Sequence, residues 1–137
     1  MKFPKSPAEK LGGIVYLPRM LEKIRLMESG GLHPDLHANL GKGFDERCAK
    51  FLGVDYAALR AAVLGGLDDA GVLDWCCRHG HKPTGDEIEV WNDFMRKRGW
   101  NDDVADILAR RKIESGFSTR DDIRTMFEYI DADEGRM

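Results

Sequence analysis

The chain is punctuated for short helices, each with a polar residue before it and glycine after it. Asp45 precedes one apolar-periodic stretch and Gly53 follows it. Asp55 and Gly65-Gly66 bracket the next stretch, and Asp68 and Gly80 the one after. An aspartate at a helix start accepts hydrogen bonds from first-turn N–H groups that have no partner within the helix. Glycine past the end closes the last turn. Thr84 with Glu87 adds a capping-box pattern. Segments this short cannot sustain heptads, which excludes a long coiled coil. Strict apolar–polar alternation is scarce, so no sheet is expected.

Apolar spacing fills in the rest. Leu17, Met20, Leu21, Ile24 and Met27 form one stripe over 17–29, with Pro18 suited to the first turn. Short helices follow at 46–52, 56–64 and 69–79. A helix over 85–98 carries Ile88, Trp91 and Met95 inward, with Phe94 beside them. Asn101 opens a helix over 102–115, and Thr119 opens the last, over 120–131. Residues 1–13, with two prolines and Gly12-Gly13, read as an extended arm. Residues 30–43 are the longest irregular connection, and 132–137 are an acidic tail expected to fray. At 137 residues the chain is expected to form one domain. The expected fold class is all-α, a compact irregular array of about six to seven short-to-medium helices with no sheet.

Lys plus Arg number 21 against 24 Asp plus Glu, a net charge of −3, so a strongly basic nucleic-acid footprint is missing. No apolar run approaches the length of a membrane span, and the N-terminus lacks an apolar signal segment. Three cysteines, two of them adjacent, make no disulfide framework, and the expected compartment is the reducing cytoplasm.

Four segments occur in order: LGGIVYLPRMLEKIR (11–25), GFDERCAKFLGVDYAAL (43–59), VLDWC (72–76) and EIEVWNDFMRKRGW (87–100). Together they resemble a bacterial family, domain of unknown function 5069, over nearly the whole chain. The resemblance implies a compact single-domain cytosolic bacterial protein. It implies no activity and carries over no catalytic residue.

Candidate site residues are therefore argued from chemistry. Arg19 and Lys23 sit four residues apart, nearly opposite the stripe of the first helix. Three readings fit them: an anion site, with a planar fork and a point charge; an internal salt bridge in which Arg19 pins Asp45 or the glycine-rich loop; or a solvated helix face. Gly12-Gly13 reads as a turn rather than a phosphate cradle, since no phosphate-loop spacing accompanies it. Trp75 and Trp91 read chiefly as core, with Asn92 beside Trp91 as a polar group for a pocket. Cys76, Cys77, His79 and His81, with His33 and His37 elsewhere, lack the convergent spacing of a metal site, and no metal or cofactor is expected.

The leading expectation is a small cytosolic binding or interaction module for an anionic small molecule or a protein partner. Its candidate ligand-binding residues are Arg19, Lys23, Asp45, Trp75, Trp91 and Asn92. The alternative is a small-molecule enzyme using Asp45, Cys48, His33 or His37 as acid, base or nucleophile. A remote alternative is nucleic-acid binding through the triplets Arg96–Arg98 and Arg110–Lys112, opposed by acids in the following helix. The sequence leaves the oligomeric state open.

Overall fold

Gly12 and Gly13 take φ values of 59° and 81°, the mirror-image turn that joins antiparallel strands through a two-residue loop. In the computed structural model, which describes residues 1–137, this turn closes a hairpin. Strands β1 (Lys10–Leu11) and β2 (Ile14–Val15) pair Lys10 with Val15 and Leu11 with Ile14. The glycine pair is a turn, as expected. The expectation of no sheet is corrected by these two-residue strands, which are too short to show alternation. The arm also forms a parallel bridge between Lys2 and Leu32.

The rest is helical: α1 (Leu17–Ser29), α2 (Phe44–Phe51), α3 (Tyr56–Leu64), α4 (Asp69–His79), α5 (Gly85–Lys97), α6 (Ala105–Glu114) and α7 (Met126–Asp133). A short 3-10 turn, Pro34–Asn39, lies inside the long connection. Asp55, Asp68 and Thr84 cap as their positions predict, accepting from the N–H groups of Ala58, Gly71 and Glu87. The Glu87 carboxylate returns the bond to the Thr84 N–H, completing the capping box.

Three expected starts are corrected. Asp45 is not the cap of α2; Gly43 occupies that position and Asp45 lies inside the first turn. Asp102 does not begin α6, because its carboxylate accepts from the N–H groups of Gly99 and Val104 and folds the chain into a turn. The last helix begins at Met126, capped by Thr125 rather than Thr119. Upstream of it, Lys112 Nζ donates to the carbonyls of Arg120 and Ile123, so those groups serve a turn instead of a helix.

The main core joins β2, α1–α5 and Phe127 of α7. A smaller cluster of Leu108, Ile123, Met126, Tyr129 and Ala132 joins α6 to α7, and Phe44 packs against both. Between β2 and α1, Tyr16 holds φ 74°, a left-handed conformation that costs an aromatic residue on the order of 1–3 kcal/mol. The ring is buried beside Phe44 and Phe127, and its hydroxyl donates to Asp45 Oδ1 at 2.6 Å. Asp45 is fully buried and also accepts from Lys23 Nζ at 3.0 Å and the Gly41 N–H at 3.0 Å.

A second buried pair closes the other end. Arg19 donates in a fork to both Glu134 oxygens at 2.8 and 2.6 Å, and to the Lys5 carbonyl. Arg136 reaches the carboxylates of Asp131 and Glu134 and the Pro4 carbonyl. Ser6 donates to Asp131. The expected fraying of 132–137 is thus corrected: the tail is clamped between α1 and the N-terminal arm, with Ala132 buried and the Glu134 carboxylate sealed.

Removing one member of a buried ion pair strands the other in low dielectric. Asp45→Asn, which leaves Lys23 without its counter-charge, and Glu134→Ala, which does the same to Arg19, are each expected to lower unfolding free energy by about 3–5 kcal/mol. Urea denaturation checks this, with the midpoint falling and the slope unchanged.

Candidate functional site

Burial decides what the sequence-derived candidates can do. For Arg19, desolvation would favour loss of charge, but the hydrogen bonds and charge of Glu134 outweigh it and raise its pKa. For Lys23, desolvation wins over the attraction of Asp45 and lowers the pKa. Of the three readings the internal ion pair is the arrangement found, with its partners corrected: Arg19 holds Glu134, and Lys23 rather than Arg19 pairs with Asp45. Both cations are sealed from solvent, and each already holds a carboxylate of the protein.

Asn92 and Trp91 are also engaged. The Asn92 side chain accepts from the Val15 N–H and donates to the Gly13 carbonyl, while Trp91 Nε1 donates to the Val15 carbonyl. Helix α5 thereby satisfies the free edge of the hairpin as a third strand would. Trp75 is half-buried, its ring stacked on His79 at 4.7 Å.

The histidines of the enzyme alternative do not bond its acid or its thiol. Asp45 and Cys48 are fully buried. Burial, followed by the nearby Asp45 charge, pushes the Cys48 thiol well up and holds it protonated. His33 stacks on Phe3 and its Nδ1 accepts from the Asp35 N–H, while His37 meets the Leu32 carbonyl; neither bonds Asp45 or Cys48. No group of three or more His, Cys, Asp or Glu side chains is placed to hold a metal ion. Among the basic triplets, Arg98 pairs with Asp102 and Asp103, Lys97 with Asp93, and Lys112 with backbone carbonyls.

A concave surface lies elsewhere, between α2 and α5, as an open groove of about 920 Å³. Its floor is Phe51 stacked on Trp91, with centroids 4.6 Å apart and planes 13° apart. Val90, 69% exposed, and Phe94, 37% exposed, project from α5. The Arg47 guanidinium lies 5.0 Å above the Phe94 ring, a cation–π contact. On the rims Glu46 pairs with Lys50, and Glu87 with His81. Arg47 on α2 and Asp86 on the first turn of α5 line the same groove. Neither has an ion-pair or hydrogen-bond partner.

Of the candidates read from sequence, only Trp91 lines this groove. Its other lining residues were legible in part. Asp86, Val90 and Phe94 recur every four residues on the helix opened by Thr84 and fall off the Ile88–Trp91–Met95 stripe. That is the signal of a second row on the helix, apolar at Val90 and Phe94 and acidic at its start. The facing row, Arg47 and Phe51, depends on where α2 docks.

The Tyr56 hydroxyl is buried without a hydrogen bond. Burial, then the charge of Asp45, pushes it up from 10 to about 12. Tyr16 rises well above its ordinary value for the same reasons. A raised phenol pKa means that the unfolded chain ionises first, so the stability tied to these groups is whole below pH 10 and is lost as pH climbs toward 12. Stability profiles should therefore fall above pH 10, and Tyr56→Phe should flatten the fall; thermal melts across the alkaline range check this.

No match is found among curated proteins. The family model for a domain of unknown function, DUF5069, matches residues 1–136. With the helical fold and the quoted motifs accounted for over that whole span, the chain belongs to the DUF5069 family.

Proposed function

We propose that this protein is a docking module that binds a protein surface through the α2/α5 groove. The occupant offers an apolar side chain to the floor of Phe51, Trp91, Val90 and Phe94, an acid to Arg47 and a base to Asp86. The observation that carries this reading is the exposure of Val90 and Phe94 between two unpaired charges of opposite sign. Exposed apolar side chains grouped in a concavity and rimmed by polar groups mark interaction surfaces. Opposite charges on facing walls fix the orientation of what enters.

A dedicated anion site has less support, because Arg19 and Lys23 already hold Glu134 and Asp45. A nucleophile at Cys48 has less support, because the thiol is sealed and protonated. We place the protein in a bacterial cytoplasm, on its family resemblance and its three free cysteines. No helix is long and apolar enough to cross a membrane.

A photo-crosslinking residue at Val90 tests the reading, with one at Ile113, 68% exposed on α6, as the control. Protein adducts are expected from position 90 and not from 113, and Phe94→Glu is expected to cut their yield about tenfold, the loss of a central interface side chain. Equal yield from both positions, or none from position 90, overturns the reading.

A further inference from the structure

We infer that the occupant of the groove is a second copy of this chain, docked about a twofold axis that crosses α5 at Val90. The inference rests on the docking reading above and names its partner. Asp86, Val90 and Phe94 form one row at intervals of four residues on α5, so Asp86 and Phe94 lie about 6 Å along the helix on either side of Val90. A twofold axis through Val90 runs a second α5 antiparallel to the first. It sets Val90 on the partner's Val90 and Phe94 against the partner's Asp86.

That register solves the charge problem on both walls. The Arg47 guanidinium sits 5.0 Å over the Phe94 ring and has no carboxylate partner, so the partner's Asp86 arrives beside it. Symmetry repeats the pair at the other end. Arg98 also lies over Phe94, at 5.2 Å, but Asp102 and Asp103 already hold it. The cation that donates to the partner's Asp86 in this arrangement is therefore Arg47. The flanking carboxylates that the same axis brings near each other, Asp93 and Glu87, are held by Lys97 and His81 in each copy. The surface thus carries its own complement: Val90 at the axis, with the unpaired Arg47 and the unpaired Asp86 placed to exchange across it.

Analytical ultracentrifugation of the full chain over a range of concentrations tests this. The expected species is a dimer, twice 15.5 kDa. Val90→Glu, at an exposed position, is expected to leave the circular dichroism unchanged and the protein monomeric. Arg47→Asp and Asp86→Arg should each raise the dimer dissociation constant about tenfold, since each variant loses two pairs and creates two repulsions. Together they should restore it to within about twofold, the mark of a direct pair. A chain that sediments as a monomer at every concentration overturns the inference, as does a dimer indifferent to Val90→Glu. If that monomer still gives adducts to another protein from position 90, lost in Phe94→Glu, the groove reading stands and only the second copy falls. If position 90 gives no adduct, both fall.

Discussion

One carboxylate, that of Asp45, holds the architecture in register. It accepts the Tyr16 hydroxyl from the hairpin–α1 junction, the Lys23 ammonium from the middle of α1 and the Gly41 N–H from the loop before α2, while standing on α2 itself. Four segments therefore meet at one buried anion. Such a group is tolerated only with its lone pairs filled and a counter-charge present, and here both conditions hold. The unusual backbone of Tyr16 follows from this: the left-handed turn directs the side chain toward Asp45, and burial between Phe44 and Phe127 offsets the backbone cost.

Helix α5 depends on that frame and has two working faces. One face is spent on the hairpin: Trp91 and Asn92 take up the backbone groups of Val15 and Gly13 that so short a sheet leaves unpaired. The other face, Asp86–Val90–Phe94, meets α2 only across an open groove. The first face fixes the orientation of the second. The candidate docking surface is therefore built on a helix anchored by buried hydrogen bonds, which limits the ordering cost of binding.

The legible parts of this molecule are those set within a single turn of chain. The caps at Asp55, Asp68 and Thr84 and the span of α1 follow from local spacing, because capping bonds link residues three apart. Asp45 has the same local signature and a different role. An acid at a helix start looks alike whether it caps that helix or receives Lys23 from another. The tail is illegible for a similar reason. A short acidic segment has the composition of a fraying end, and only the arrival of Arg19 turns Glu134 into half of a buried pair.

The sequence by itself determined the helical class, most helix boundaries, the turn at Gly12-Gly13 and, through its motifs, the family. Each depends on backbone conformations and hydrogen bonds spanning a few residues, or on the order of residues itself. Tertiary structure decided which charges are available for function. Arg19 and Lys23 look like the free cations of the first helix, yet they find Glu134 and Asp45 far along the chain. Arg47 has no such partner. A charge is free or occupied according to what folding brings within about 3–4 Å of it, and helix spacing alone does not carry that distance.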